Sequence, residues 1–222
     1  MAEKKFHPLI DYCKYTEADM KKRAFDFYSE MRRRRSVREF LDQPVDRSII
    51  ENCLKAASTA PSGANQQPWR FVVVSDPVIK KKIRGTAEKI ESEFYSKKAT
   101  KNWVKDLEHL GTIPSKPFLE TAPFLIIVFS QLYGHSPSGE KKKHYYVSES
   151  VGIATGMLIT GLHHAGLASL TYTPVNMRFL NRILGRPSNE KPFMILVVGY
   201  PSENTLVPAI QKKSLEGIAE FV

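Results

Sequence analysis

Cysteine is scarce in this chain, and so are long apolar runs. Only Cys13 and Cys53 occur among 222 residues, with no C-x-x-C pair, so neither a disulfide framework nor a zinc site is indicated. Stretches such as APFLIIVF are far shorter than the roughly 20 residues of a membrane-spanning helix and predict buried strands. The N-terminal residues show no secretory leader pattern. We therefore expect a cytoplasmic protein with reduced thiols and no membrane partner.

The motifs that mark several enzyme classes are absent as well. There is no H-E-x-x-H, no G-x-S-x-G and no G-x-x-x-x-G-K-[ST], which excludes the simplest zinc-protease, serine-hydrolase and P-loop interpretations. Two of the six histidines, His163 and His164, are adjacent and cannot share one helix face. We predict no metal site.

Positive charge is what the chain has in excess, with a formal net charge of +10. Residues 32–40, RRRRSVREF, concentrate this charge. No zinc-finger, RNP or basic-zipper pattern accompanies the run, so we expect no nucleic-acid partner. Arginine forks, continued by Ser36 and Arg38, suit the doubly charged end of a phosphate monoester. On this segment alone, a solvated charged helix end is an equally good interpretation.

The order of patterns along the chain predicts a single α+β domain over residues 1–222. Helices are expected at about 18–33, after an N-cap at Asp46, and in the charged stretch 77–110. RFVVVS, PFLIIVFSQ, LASLTYTP and FMILVVGYP are typical of strands, and GHSPSGEKKKH of a polar loop. Residues 146–165 predict a helix that is apolar on nearly every side, hence a central core helix or a dimer interface.

Four motifs occur in a fixed order: RRRRSVREF, TAPSGANQQPW, LTYTP and the closing VVGYP. Taken alone, the second is an ordinary helix–strand connection and the third an ordinary strand end. Together, from about residue 31 to 214, they resemble the FMN-dependent nitroreductase superfamily. The resemblance implies a central mixed or antiparallel sheet flanked by helices. It also implies an intertwined homodimer with FMN at the subunit interface, and a C-terminal extension at 202–222.

A narrower resemblance lies in residues 91–116, supported by HYY and LGRP further along the chain. On spacing alone this segment is a charged surface helix in which Glu91 and Tyr95 share a face. In register with the other motifs, it resembles the active-site lid of the iodotyrosine deiodinase family, whose Glu, Tyr and Lys are matched by Glu91, Tyr95 and Lys116. A carboxylate for the substrate ammonium, with an ammonium and a hydroxyl for its carboxylate, suits an amino acid zwitterion.

The resemblance also implies the remaining site residues. The Ala64 amide is expected to face the substrate phenolate oxygen and Thr173 to hydrogen-bond to flavin N5, which makes these two the expected catalytic positions. Lys212 stands where animal members carry arginine, so its phosphate contact would lack the guanidinium fork. The full set of expected FMN contacts is Arg34, Arg35, Ser36, Val37, Arg38, Ser62, Thr171, Tyr172, Thr173 and Lys212.

The implied activity is FMN-dependent reductive dehalogenation of mono- and diiodotyrosine to tyrosine and iodide. A generic nitroreductase or quinone reductase, a basic nucleic-acid-binding module and a flavoprotein without turnover are the alternatives. The chain has no pyridine-nucleotide fingerprint, so NADPH is expected to act directly or through a separate reductase. Animal members carry an N-terminal membrane anchor. The initiator Met and the coherent N-terminus of this chain favour a natural soluble member.

Overall fold

The computed structural model describes residues 6–97 and 114–222. The chain divides into two compact units, residues 1–34 and residues 35–222. Among the described residues, no helix is both long and apolar enough to cross a bilayer. Within the same ranges, no three His, Cys, Asp or Glu side chains are grouped as a metal site requires.

In the described part of the first unit, helix α1 spans Glu17–Met31 and confirms the helix predicted at about 18–33. The Thr16 side chain caps it by accepting a hydrogen bond from the N–H of Asp19 at 3.2 Å, which satisfies one of the free amide groups of the first turn. The helix buries none of its own residues. Exposed ion pairs at i,i+4 spacing run along its surface, each worth a few tenths of a kcal/mol at most, roughly.

The second unit holds the remaining helices and strands. Among its described residues the helices are α2 (Arg47–Ser58), α3 (Pro77–Lys97), α4 (Phe118–Thr121), α5 (Val147–His164) and α6 (Phe179–Ile183), with a 3₁₀ turn at Gly63–Asn65. The strands are β1 (Trp69–Val74), β2 (Phe124–Gln131), β3 (Tyr133–His135), β4 (Lys141–Lys143), β5 (Ala168–Tyr172) and β6 (Glu190–Gly199). The helix predicted over 77–110 is seen as α3, and residues 98–113 lie outside the described ranges.

Four of these strands form one sheet in the order β1-β2-β6-β5, with every neighbouring pair antiparallel. The two central strands read as continuous apolar runs because helices cover both faces of the sheet. Leu125 and Ile127 of β2 point into one buried cluster, and Ile126 points into another on the opposite face. The prediction of an α+β fold with an antiparallel sheet flanked by helices is confirmed.

Helices α3, α4 and α6 cover one face of the sheet, whereas α2 and α5 cover the other. The predicted N-cap of α2 is confirmed, since the Asp46 side chain accepts from the N–H of Ser48 at 2.7 Å. Helix α5 buries one face and leaves the opposite face, with Gly152, Ile153 and Gly156, exposed in the single chain. The expectation of a helix buried on every side by its own chain is therefore wrong. An interface with another chain, the second alternative, stays a prediction.

Residues 134–144 were expected to form a loop, and this prediction is wrong in part. Strands β3 and β4 pair here as a short antiparallel hairpin. The ammonium of Lys141 lies 3.9 Å from the centroid of the Tyr133 ring, a cation–π contact across the pair. Three consecutive lysines gave no alternation of apolar and polar residues, so the pattern on which strand prediction rests was missing.

Candidate active site

The basic run leaves the first unit at Arg34 and continues into the second as an extension beside β5. Ser36 forms a parallel bridge with Ser169, and the N–H of Val37 donates to the Ser169 carbonyl at 3.3 Å. This pairing turns the Val37 side chain into the core, where it is 8% exposed. The flanking polar side chains of Ser36 and Arg38 are only partly covered. Desolvation by the surrounding protein lowers the pKa of Arg38.

The C-terminal segment approaches the same place. The Arg35 guanidinium donates a hydrogen bond to the backbone carbonyl of Pro208, which holds residue 208 next to Arg35. Lys212 follows four positions later and is exposed. The C-terminal extension therefore approaches Arg35, while contact between Lys212 and a phosphate stays a prediction.

Alternation along β5 separates three residues that the sequence grouped together. Thr171 and Thr173 are exposed, whereas Tyr172 between them is buried, as the two-residue period of a strand requires. The threonine hydroxyls thus emerge on one face at the carboxyl end of β5, which is an edge strand next to the Ser36 bridge. The Tyr172 side chain points to the opposite face, so any contact between this residue and a flavin lying against the threonines would come from its backbone.

The loop between α2 and β1 has an unusual backbone. Ala64, Asn65 and Gln67 all have positive φ, at 49°, 51° and 48°, a region that costs a non-glycine residue roughly 1–3 kcal/mol. Two serine hydroxyls hold it: Ser62 accepts from the N–H of Gln67 at 2.9 Å, and Ser150 accepts from that of Gly63 at 3.4 Å. Strain retained by such bonds is typical of a binding loop.

A second anchor is the side-chain amide of Gln66. Its Nε2 donates to the Lys143 carbonyl at 3.3 Å, and its Oε1 accepts from the Tyr145 N–H at 2.7 Å. The two bonds tie the strained loop to the chain that leaves the β3–β4 hairpin. A Cβ on Gly63 would lie 3.0 Å from the Tyr145 carbonyl oxygen, so a larger residue here would require that backbone to shift by a few tenths of an ångström.

A buried cluster of charged and phenolic groups lies where α3, the residues before α4 and β5 meet. The Lys116 ammonium is 2.8 Å from Glu91 Oε2, with side-chain exposures of 3% and 8%. The Tyr172 hydroxyl donates to Glu91 Oε1 at 2.7 Å. Burial, and then the neighbouring Glu91, raise the pKa of Tyr172, so its hydroxyl is a neutral donor.

The cluster is extended on α3 by Tyr95, one turn after Glu91. Tyr95 is half-buried, and desolvation followed by the charge of Glu91 raises its pKa. Its ring packs edge-on to Phe94, with centroids 5.8 Å apart. The structure thus places Glu91, Tyr95 and Lys116 on the two described segments that flank residues 98–113, and it brings Glu91 and Lys116 into direct contact.

One turn earlier on α3, Glu88 holds the segment that carries Lys116 by a hydrogen bond to the backbone of that segment. Its Oε1 accepts from the N–H of Lys116 at 2.6 Å and from Nε of Arg84 at 2.8 Å. Burial would raise the pKa of Glu88, but the bond from the Lys116 N–H and the Arg84 guanidinium outweigh it and lower the pKa. The sequence showed only a run of charges at this point. Glutamates at i and i+3, which share a helix face, were the available signal.

A buried lysine completes the attachment of α4 to α3. Lys80, 5% exposed, donates to the carbonyls of Glu120 and Ala122 at 2.8 Å each, where the short helix ends. An ammonium at a helix C-terminus satisfies carbonyls that lack helical partners. The segment that carries Lys116 is therefore fixed at both of its ends.

The fold and the residues assembled on it define a family. The model of the nitroreductase family matches residues 31–200, and the chain belongs to that family. Among its curated relatives is an iodotyrosine deiodinase from Haliscomenobacter hydrossis, 51% identical over 88% of each chain. A human iodotyrosine deiodinase 1 is 45% identical over 92% of this chain and 71% of that one. A solved structure described as oxidized iodotyrosine deiodinase bound to FMN and 3-iodo-L-tyrosine superposes with a TM-score of 0.76 and 32% identity, covering 88% of this chain and all of the other.

Proposed function

We propose that this protein is an FMN-dependent enzyme that removes iodide from mono- and diiodotyrosine by reduction. The observation that carries the proposal is the buried pair of Glu91 and Lys116, 2.8 Å apart. An amino acid substrate presents an ammonium and a carboxylate at its α-carbon, and this pair offers one group of each opposite charge. The relatives named above are iodotyrosine deiodinases. This similarity is why a halotyrosine is the proposed substrate.

The donor set beside β5 fits FMN. The partly covered guanidinium groups of Arg35 and Arg38, with the Ser36 hydroxyl, suit the phosphate, while the exposed hydroxyls of Thr171 and Thr173 suit polar atoms of the ring system. When bound, FMN supplies the electrons for reduction. In the proposal Arg34, Ser62 and Lys212 complete the binding set. Val37 and Tyr172 contribute to FMN binding through their backbones. The Val37 N–H already donates to the Ser169 carbonyl, which leaves its carbonyl for this contact.

The amino acid end of the substrate is bound by the lid residues. Glu91 accepts hydrogen bonds from the substrate ammonium, while Lys116 and the Tyr95 hydroxyl donate to its carboxylate. Glu91 and Lys116 pair with each other in the chain alone. A zwitterion that enters must replace this ion pair with two new ones, its ammonium pairing with Glu91 and its carboxylate with Lys116. An uncharged phenol offers no such exchange, since it has nothing to give the two buried ions in return.

The phenol end is bound by the strained loop. A backbone N–H at Ala64 donates to the phenolate oxygen, and the positive φ of residue 64 sets the direction of the peptide groups around it. Such an N–H stabilises negative charge without first reorganising, because the loop already holds it. The overall change adds two electrons and one proton to the aryl iodide and yields tyrosine and iodide.

The assembly and the electron supply complete the proposal. The exposed face of α5, with Ile153 46% exposed, supports a homodimer in which FMN lies at the interface. NADPH supplies the electrons directly or through a reductase, and the protein acts in the cytoplasm. The ligands of this site are halotyrosines, and no nucleic acid binds to it.

A ligand titration tests the proposal. The protein should purify with FMN, and 3-iodotyrosine should quench flavin emission much more strongly than tyrosine or 2-iodophenol at equal concentration. Dithionite-reduced protein should then release iodide from 3-iodotyrosine. A flavin that responds equally to 2-iodophenol and 3-iodotyrosine would instead define a nitroreductase or quinone reductase that does not recognise zwitterions. Purified protein without flavin would contradict the proposal altogether.

A further inference from the structure

Tyr172 has a role that its position beside the threonines of β5 does not suggest. Its side chain is 8% exposed and turned away from Thr171 and Thr173. Its hydroxyl donates to Glu91 Oε1 at 2.7 Å, while Lys116 lies 2.8 Å from the other oxygen, Oε2. The two oxygens of the buried carboxylate therefore differ: Oε1 accepts a hydrogen bond from Tyr172, whereas Oε2 has an ion-pair partner in Lys116 and accepts no hydrogen bond among the described residues.

The ring of Tyr172 also contacts the second segment of the site. It packs edge-on against Phe118, with centroids 5.6 Å apart, and the Lys116 ammonium lies 6.0 Å from its centroid. One side chain thus contacts α3 through its hydroxyl and the start of α4 through its ring. Since β5 is hydrogen-bonded to β6 in the sheet, the backbone that carries Tyr172 is held in place by the sheet.

We propose that Tyr172 is a positioning residue that determines specificity: it binds one oxygen of Glu91 so that the other is directed at the substrate ammonium. The proposal rests on the function proposed above, in which the Glu91 carboxylate binds the substrate ammonium, and it names the residue that orients this carboxylate. A carboxylate on a helix can rotate about its last side-chain torsion, which is broad. A hydrogen bond to one oxygen removes that freedom before the ligand arrives, which strengthens binding by preorganisation.

The phenol is suited to this task because it donates without carrying charge. A second cation at this position would compete with the substrate ammonium for Glu91, and an acceptor would repel the carboxylate. Burial raises the pKa of the Tyr172 hydroxyl, so the donor persists through the range of pH in which a halotyrosine is a zwitterion. The hydroxyl also leaves Oε2 for exchange between Lys116 and the ligand.

The test removes one oxygen atom. Holoprotein carrying Tyr172→Phe should keep its FMN and should bind 3-iodotyrosine at least about tenfold more weakly, the loss expected for one hydrogen bond to a charged group. Binding of 2-iodophenol, which has no ammonium, should not change. Tyr133→Phe is the matched control, since that ring lies on β3 and is expected to leave both affinities as they were. All affinities are read from flavin fluorescence.

A double-mutant cycle with Glu91→Gln shows whether Tyr172 acts through Glu91. In the Glu91→Gln background, Tyr172→Phe should weaken 3-iodotyrosine binding less than twofold, roughly, because the group it orients has lost its charge. Equal losses in both backgrounds, an unchanged affinity in the single variant, or equal losses for 3-iodotyrosine and 2-iodophenol would each overturn the inference. If the unchanged protein binds FMN but not 3-iodotyrosine, the proposed function itself is wrong. If the unchanged protein binds both and Tyr172→Phe binds both equally well, only the inference about Tyr172 is wrong.

Discussion

Two glutamates are buried among the residues that the structure describes, and they are satisfied in different ways. Glu190, 4% exposed, receives both nitrogens of the Arg186 fork at 2.7 and 2.9 Å, four residues away on the same stretch of chain. The side-chain amide of Gln131 adds a third bond at 3.2 Å. Glu91 is paired with Lys116, 25 positions along the chain. One carboxylate is held locally by a rigid fork, the other by a point charge on a separate segment.

The difference indicates which pair is exchangeable. A bidentate arginine fixes both oxygens of its partner, so a ligand would have to displace two bonds at once. An ammonium is a flexible point charge on a long side chain and can turn from a carboxylate of the protein to that of a ligand. The pair that joins distant segments is therefore the one suited to binding, whereas the local pair links the loop after α6 to the start of β6.

The largest expected effect comes from breaking the exchangeable pair. Lys116→Met leaves the charge of Glu91 buried without a counterion, which should lower the free energy of unfolding by about 3–5 kcal/mol and abolish zwitterion selectivity. Adding Glu91→Gln removes the stranded charge, so stability should largely return while 3-iodotyrosine binding stays weak. Urea denaturation and flavin titration measure the two quantities. Recovery of binding together with stability would mean that the pair is structural.

Breaking the local pair should affect stability alone. Arg186 is 24% exposed, so water partly compensates Glu190 in Arg186→Met, and we expect a loss nearer about 2–3 kcal/mol in the free energy of unfolding. FMN content and the affinity for 3-iodotyrosine should match those of the unchanged protein. A selective loss of 3-iodotyrosine binding in this variant would break the distinction between the two glutamates.

The sheet and most helices could be predicted from the sequence because their signals are local. Continuous apolar runs specify the buried central strands β2 and β6, and Asp46 marks the start of α2 by its own capping chemistry. The β3–β4 hairpin escaped prediction because its lysines lack alternation. The exposed face of α5 escaped it because an apolar surface does not reveal whether its own chain or another covers it.

The site could be predicted only in part for a similar reason. The helical spacing of Glu91 and Tyr95 places them on one face of α3, but nothing in spacing brings Lys116 to Glu91; that pairing is a matter of tertiary structure. The orientation of Tyr172 was available from strand alternation, since its neighbours were expected to face a ligand. Its hydrogen bond to Glu91 was not, because α3 and β5 are distant in sequence.

A smaller effect separates the two ends of the substrate. Gln66→Ala removes both bonds that tie the Ala64 loop to the hairpin, and each is worth about 0.5–1.5 kcal/mol. The loop holds the phenolate, so 3-iodotyrosine and 2-iodophenol should both bind more weakly, by a few-fold, and to the same extent. Lys116 variants should affect only the former. Gln43→Ala, an exposed position, is the control. Unequal losses for the two ligands would contradict the assignment of the loop to the phenol end.

The smallest effect is a pH dependence carried by Glu88. Its pKa in the folded protein lies below the usual value because the Lys116 N–H and Arg84 outweigh the effect of burial. A depressed carboxyl pKa stabilises the folded state above the unfolded-state value, about 4.3, and this contribution is lost as pH falls through the lower folded-state pKa. Glu88→Gln should therefore lower stability at pH 7 and make it less sensitive to acid, with the difference closing below about pH 4. Glu93→Gln, exposed on the same helix, should follow the unchanged protein in urea denaturation between pH 3 and 7. If the Glu88 and Glu93 variants behave alike, the carboxylate of Glu88 does not anchor the segment that carries Lys116, and the other contacts of that segment, such as the bonds from Lys80 and the packing of Phe118 against Tyr172, hold it in place.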